Sequence, residues 1–142
     1  MIHLELKHPD FGFTASDQQG NSMEMDIPVS QGGHDKGLRP MQTLLAALGG
    51  CSGVDVVNIL LKQHQGIDTF HISVDGEREG NVEPSLWKSI QIHYELLGSI
   101  EPSKALRAVE LSMQKYCSVA ETLRRAGAEI VWTIRVNGKL VH

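Results

Sequence analysis

The chain has little sulfur and little positive charge. Its 142 residues include two cysteines, Cys51 and Cys117. Two sulfurs cannot complete a structural zinc site, and in a reducing cytosol such cysteines more often act as thiols, ligands or catalytic groups than as a structural disulfide. The formal net charge of −4 lacks the cationic footprint that nucleic acids and anionic lipid surfaces require. We therefore expect no nucleic-acid partner, no membrane partner and no metal.

Targeting segments, repeats and low-complexity stretches are also missing. No signal-peptide pattern precedes the first strand pattern. The longest apolar run is interrupted by Gly49, Gly50, Ser52 and Asp55, which leaves it short of the ~20 residues that a bilayer requires. A chain of 142 residues is the size of one domain. We therefore expect a single cytoplasmic domain over residues 1–142, without a cofactor.

Hydrophobic periodicity predicts three strands, one long helix, two strands, two helices and a last strand. Because this order lacks the regular alternation of a parallel α/β sheet, it predicts an α+β fold with a mainly antiparallel sheet. The strands at 69–79 and 86–97 are predicted to form a long hairpin. The other predicted strands are 3–7, 11–16, 22–29 and 129–136.

Capping signals predict where the helices begin and end. Proline suits a first helical turn, and the long helix is predicted to begin at Pro40 and to be ended by Gly66, after Gln65. The second helix opens at Pro102, and the capping-box pattern of Ser118 and Glu121 predicts a third helix that closes at Gly127. In the second helix, a buried stripe is predicted at Leu106, Val109, Met113 and Tyr116.

The long helix, RPMQTLLAALGGCSGVDVVNIL, carries Cys51 near its middle. Upstream, the stripe that contains Cys51 is apolar and includes Leu44 and Leu48. Downstream, the same stripe becomes polar, with Asp55, Asn58 and Lys62. The thiol is therefore expected to lie where an apolar core meets either a polar cleft or solvent. Because the upstream part is apolar nearly all round, it needs cover from its own sheet or from a partner subunit.

The two thiols differ in their local electrostatics. Cys51 lies deep inside a helix with Asp55 one turn away, so it is either inert packing or depends on a cation from elsewhere. Cys117 directly precedes a helix N-terminus and lies near Lys115, which favours a thiolate, although it could equally fill a helix junction. A bond between them would close a loop of ~67 residues, worth roughly 4 kcal/mol, if the two positions meet in space.

Both cysteine neighbourhoods resemble a known family. The run PMQTLLAALGGCSGVDVV, followed by KYCSVAETL, is similar to the two-cysteine signature of the OsmC/Ohr family, and GGCSGVDVVNILLK is similar to its YhfA-like branch. The resemblance implies an OsmC-like fold, an intertwined homodimer and active sites between subunits. It also implies that Cys51 is the peroxidatic thiol, that Cys117 resolves the sulfenic acid as a disulfide, and that an external dithiol reduces the pair.

The sequence departs from this family at the group that activates the thiol. Peroxidase members place a glutamate after the helix proline, where it holds an arginine from the N-terminal hairpin, but this chain has Met41. Its first arginine is Arg39, about 18 Å from Cys51 along the helix axis. The proline that follows the resolving cysteine is replaced by Ser118. These departures predict hydroperoxidase activity that is weakened, redirected or lost.

Three functions remain open at this point. The first is a thiol-dependent reductase of organic hydroperoxides that acts through Cys51 and Cys117. The second is a protein that binds a small hydrophobic ligand at a dimer-interface pocket, and the third is a redox sensor whose disulfide changes partner affinity. His34 is a candidate base. The candidate pocket or supporting residues are Arg39, Met41, Leu44, Leu48 and Asp55.

Overall fold

The computed structural model describes every residue from Met1 to His142. The elements follow the predicted order, with one additional short strand at the end, so the chain is an α+β protein. The strands are β1 (His3–Leu6), β2 (Phe13–Ser16), β3 (Ser22–Met25), β4 (Gly66–Arg78), β5 (Trp87–Ser99), β6 (Glu129–Val136) and β7 (Lys139–Leu140). The helices are α1 (Pro40–Lys62), α2 (Pro102–Leu111) and α3 (Ser118–Arg125).

The chain divides into two compact units, Met1–Leu44 and Leu45–His142. In the first unit, β1, β2 and β3 form an antiparallel meander in sequence order. The loop that follows contains a 3-10 turn at Val29–Gln31. The buried carboxylate of Asp26 orders this loop because it accepts hydrogen bonds from three backbone N–H groups, those of Ile27, His34 and Lys36. The expectation of a single domain stays a prediction.

Helix α1 begins where the sequence predicts but ends earlier. It starts at Pro40 and ends at Lys62, before the predicted end at Gln65. His64 adopts a left-handed φ of 54°, the conformation that glycine usually supplies at a helix C-terminus. Gly66, the predicted terminator, is instead the first residue of β4. The predicted end was wrong because a histidine occupies the left-handed position.

The second unit contains a four-stranded sheet in the order β4-β5-β6-β7. Strands β4 and β5 form the predicted long antiparallel hairpin. Strand β6 pairs parallel to β5, because α2 and α3 carry the chain back across the sheet between them, and β7 then pairs antiparallel to β6. We predicted a mainly antiparallel sheet, and the structure has one antiparallel sheet and one mixed sheet.

The core of the second unit lies between α1 and one face of the mixed sheet. A Cβ atom added to Gly53 would lie 2.7 Å from Cδ1 of Ile72, and one added to Gly49 would lie 3.2 Å from Cγ2 of Val74. These glycines therefore let α1 lie close against β4, whereas Gly50 faces open space. Inward side chains of β5 complete the core, namely Ile90, Ile92, Tyr94 and Leu96.

Helix α2 continues directly into a π-helical segment, Ser112–Tyr116. A π-turn holds more residues than an α-turn, so it shifts the side chains that follow relative to an α-helical stripe. Val109 and Met113 are buried as predicted, but Tyr116 is 49% exposed. The predicted stripe therefore fails at its last position.

Helix α1 is long and apolar enough to cross a membrane by length and composition, with a mean hydropathy of 1.8 over an 18-residue stretch. The expectation that its apolar run is too short was therefore wrong. One face of α1 is nevertheless buried within the protein, and Oγ of Ser52 on that face accepts a hydrogen bond from Tyr94 of β5. This packing is that of a core helix.

Candidate functional site

The two cysteines lie side by side although 66 positions separate them in the sequence. Sγ of Cys51, Sγ of Cys117 and a carboxylate oxygen of Asp55 all lie within 4.8 Å of one another. Both cysteines are free thiols. A disulfide bond of ~2.05 Å requires the sulfurs to approach by less than about 3 Å, which is within the reach of side-chain rotation. The structure thus assembles a dithiol with an adjacent carboxylate.

Different local structures hold the two thiols. Cys51 lies in the middle of α1 and is half-buried, whereas Cys117 is only 4% exposed. Cys117 is the N-cap of α3, and its Sγ accepts the backbone N–H of Ala120 at 3.4 Å. Its own N–H donates to the carbonyl of Ser112 at 2.8 Å. We predicted that Ser118 caps this helix, and that was wrong because the cysteine sulfur takes the role.

A buried hydrogen-bond network supports the thiols. The Ser112 hydroxyl donates to Oδ2 of Asp55 at 2.8 Å. The Ser52 hydroxyl donates to the carbonyl of Leu48 at 2.9 Å and accepts the hydroxyl of Tyr94 at 2.9 Å. The network joins α1, the π-helical segment and β5, which restricts movement between the elements that carry the two sulfurs.

The electrostatics of Cys117 are the reverse of those expected from the sequence. Burial, with a smaller contribution from the adjacent Cys51, raises the pKa of the Cys117 thiol to about 11, and the N–H of Ala120 only partly offsets these effects. Nζ of Lys115 lies 5.4 Å from the ring centroid of Tyr116. The predicted preference for a thiolate at this helix N-terminus was wrong because desolvation outweighs the helix N–H groups.

This shifted pKa predicts a loss of stability at alkaline pH. The folded protein holds the Cys117 proton to about pH 11, whereas an unperturbed thiol loses it near 9.0. The free energy of unfolding should therefore be highest below pH 9 and fall between pH 9 and 11, by on the order of 2 kcal/mol. Tyr94, whose pKa burial raises from 10.0 to about 12, adds a further loss between pH 10 and pH 12.

Denaturant unfolding of wild type and of Cys117→Ala across this range measures the effect. Between pH 9 and pH 10 the stability of the variant should not fall through this residue, and from pH 10 upward the variant should keep the fall that belongs to Tyr94. Equal slopes for the two proteins would contradict the assignment to Cys117.

The other predicted supporting residues have separate environments. Leu48 has no exposed surface, so it is a core residue and cannot line a pocket that is open to substrate. Leu44 is 40% exposed, and Met41 is half-buried. Nη2 of Arg39 donates to Oδ1 of Asp35 at 3.3 Å. Among the predicted site residues, the structure therefore brings together the two cysteines and Asp55.

The candidate base His34 belongs to a cluster within the first unit. Its Nε2 lies 2.9 Å from Oδ1 of Asp10, and its ring centroid lies 4.3 Å from that of His8. The hydrogen bond to His34 holds the pKa of the Asp10 carboxyl below its usual value. These contacts tie together two loops of the first unit.

A polar cleft adjoins the cluster at Asp55, in line with the change of character along the α1 stripe, which predicts a polar cleft or solvent there. The cavity has a volume of about 560 Å³, within the range of small-molecule pockets. Its lining includes Asp55, Asn58 and Lys62 from the polar half of that stripe. The remaining lining residues are Ile59, Gln63, Leu111 and Tyr116. A separate apolar cavity of about 330 Å³ lies within the first unit, lined by Leu4, Phe11, Phe13, Met25, Ile27 and Pro40 among others.

Sequence reasoning missed three residues of the network, Ser52, Tyr94 and Ser112. Tyr94 had a usable signal, because a tyrosine at an inward position of an alternating strand normally finds a partner for its hydroxyl. Ser52 was taken only as an interruption of the apolar run. The position of Ser112 depends on the π-helical segment, for which the sequence carries no recognised signal.

The fold and the site together define an α+β protein with a dithiol held between a core helix and a helix N-terminus. The chain belongs to the OsmC family, because the family model for OsmC-like proteins matches residues 33–133. Protein YhfA from Escherichia coli (strain K12) is 40% identical over 93 residues, which cover 65% of this chain and 69% of YhfA. This similarity supports the YhfA-like branch of the family.

Two solved structures illustrate how widely the fold is shared. A hypothetical protein from Aquifex aeolicus VF5 is 31% identical, with a TM-score of 0.77 and coverage of 96% of each chain. An organic hydroperoxide resistance protein OsmC from Legionella pneumophila superposes with a TM-score of 0.70 at 12% identity, covering 96% of this chain and 97% of its own. At that identity the similarity shows the fold alone.

Proposed function

We propose that this protein is a thiol-dependent reductase of organic hydroperoxides that acts in cytoplasmic oxidative-stress defence. One observation carries the proposal, namely that the sulfurs of Cys51 and Cys117 lie within 4.8 Å of each other. A dithiol at this distance is suited to form and release a disulfide in each cycle. Organic hydroperoxides are the proposed substrate class because the chain belongs to the OsmC family, and a protein of the same fold from Legionella pneumophila is an organic hydroperoxide resistance protein.

In the proposed reaction Cys51 attacks first because it is the more exposed thiol. Its sulfur forms a bond to the terminal oxygen of the hydroperoxide, the O–O bond breaks, and the alcohol leaves with the thiol proton. Cys51 is then a sulfenic acid. The Cys117 sulfur attacks the Cys51 sulfur, water leaves, and a disulfide forms. An external dithiol reduces this disulfide and restores both thiols.

The proposed activity is weaker than that of family members with an arginine–glutamate pair. Met41 replaces the glutamate, and the side chain of Arg39 pairs with Asp35. A peroxidatic thiol reacts as the thiolate, which a nearby cation favours. We therefore propose a rate above that of free cysteine but below that of members with the complete pair.

We also propose that the protein works as a homodimer. The face of α1 opposite the sheet presents an apolar stripe, in which Val54 is 70% exposed and Leu61 is 60% exposed. Ala47 and Gly50 continue this stripe towards the helix N-terminus. Exposed apolar surface of this kind marks an interface. Sedimentation equilibrium should give twice the chain mass of 15.6 kDa, and a monomer at micromolar concentration would rule out the dimer.

The enzymatic proposal is tested with cumene hydroperoxide and the reduced protein. We expect the loss of two thiols per chain, an intact mass that falls by two hydrogens, and regeneration by a dithiol. Loss of thiols no faster than in free cysteine would refute the peroxidase activity. The alternative would then be a protein of the same fold that binds a small hydrophobic ligand.

A further inference from the structure

The reduced dithiol and its neighbouring carboxylate have the composition and geometry of a metal site. Sγ of Cys51, Sγ of Cys117 and an oxygen of Asp55 are mutually within 4.8 Å. We propose that this cluster binds one thiophilic divalent cation of the zinc class when the cysteines are reduced. The sequence led us to expect no metal, because two sulfurs are too few ligands and Cys117 meets Cys51 and Asp55 only in the folded chain.

The distances suit tetrahedral coordination. With Zn–S bonds of about 2.3 Å, two sulfurs on one tetrahedral ion lie about 3.8 Å apart. The two sulfurs therefore need to approach each other by no more than about 1 Å, and the oxygen needs to approach each sulfur by no more than about 1.3 Å, which side-chain adjustment can supply. Two thiolates select soft cations such as zinc or cadmium over magnesium and calcium.

The surroundings provide what a metal site needs beyond its ligands. The Ser112 hydroxyl holds Oδ2 of Asp55 at 2.8 Å, as outer-shell hydrogen bonds orient ligating carboxylates. Asp55 also lines the cavity of about 560 Å³, which gives the ion an entry path and room for a water molecule as fourth ligand. A site with three protein ligands and one open position results.

Binding of the cation releases the protons of the two thiols. Cys51 and Cys117 each lose a proton to the buffer, and two thiolates, one carboxylate and one divalent cation carry a net charge of −1. No electron is transferred. Because the same sulfurs form the disulfide, oxidation should release the ion, and a bound ion should protect the thiols from hydroperoxide. The proposal uses the dithiol of the proposed reductase but does not require peroxidase activity.

The experiment titrates Co²⁺ into the reduced full-length protein in oxygen-free buffer. We expect thiolate-to-cobalt charge-transfer absorption and the visible bands of tetrahedral cobalt, saturating at one equivalent per chain and displaced by Zn²⁺. The disulfide form of the wild-type protein should show neither the charge-transfer absorption nor the tetrahedral bands. Because both samples are wild-type protein, this comparison does not depend on the folding of a variant.

Variants assign the ligands. Cys51→Ser and Cys117→Ser should each lose the charge-transfer absorption. Asp55→Asn should weaken binding by on the order of 100-fold, although the asparagine has the same shape as the aspartate and can still accept a hydrogen bond from Ser112. Asp75→Asn, an exposed carboxylate on β4, is the matched control and should keep wild-type affinity. Spectra that persist in the disulfide form, or that are unchanged by Cys117→Ser or Asp55→Asn, would overturn the proposal. Hydroperoxide reduction is assayed separately on chelator-treated protein, so either hypothesis can fail alone.

Discussion

A Cys51→Ser variant is expected to reduce organic hydroperoxides on the order of a thousandfold more slowly than the wild-type protein, because the nucleophile of the first step is lost. A serine hydroxyl is not ionised at neutral pH and cannot form a sulfenic acid. The measurement is the initial rate of cumene hydroperoxide consumption with a dithiol reductant. Cys117 is only 4% exposed and its pKa is raised to about 11, so it cannot substitute for the missing thiol.

Cys117→Ser provides the contrast that separates the two roles. This variant should consume about one equivalent of hydroperoxide and accumulate the sulfenic acid of Cys51, seen as a mass increase of one oxygen atom. It should form no intramolecular disulfide. Ser118→Ala, a substitution beside the resolving cysteine that leaves both thiols intact, serves as the control and should turn over normally. Full activity in Cys51→Ser would disprove the assigned order of attack.

Leu48→Ala should lower the free energy of unfolding by about 3 kcal/mol, within the range of about 2.7 to 5 kcal/mol found for buried leucines. Leu48 has no exposed surface, and truncation leaves a cavity between α1 and the sheet. Its backbone carbonyl remains available to the Ser52 hydroxyl, so the hydrogen-bond network is retained. Urea denaturation measures the effect.

Leu140→Ala is the matched control for this prediction. Leu140 lies on β7 and is 61% exposed, so the same chemical change should alter stability by no more than about 0.5 kcal/mol. If Leu48→Ala instead left stability unchanged and altered the reaction with hydroperoxide, Leu48 would belong to a substrate pocket. The comparison thus separates the core role from the pocket role predicted by sequence.

Much of the local structure was predictable from the sequence. Period-two alternation located the hairpin of β4 and β5, and it placed β6 at Glu129–Val136. Such alternation arises because successive side chains of a half-buried strand point to the core and to solvent in turn. Proline placed the starts of α1 and α2, since its missing N–H is not needed in a first helical turn. Signals that act within a few residues were therefore reliable.

The failures share one physical cause, which is competition between a local signal and its surroundings. His64 took the left-handed position expected of Gly66, the sulfur of Cys117 took the cap expected of Ser118, and burial reversed the electrostatics expected at Cys117. The parallel pairing of β5 and β6 depends on how α2 and α3 cross the sheet. None of these outcomes is encoded in residue spacing alone.

The sequence by itself determined the order of the elements and, through its two cysteine neighbourhoods, the family of the chain. It also indicated that the α1 stripe turns polar beyond Cys51, because neighbours on a helix face follow from helical periodicity. Only the tertiary structure decided that Cys51, Cys117 and Asp55 meet within 4.8 Å and that the second thiol is buried. Contacts between residues 66 positions apart depend on the packing of every element between them, so the chemistry of the site was decided by the fold.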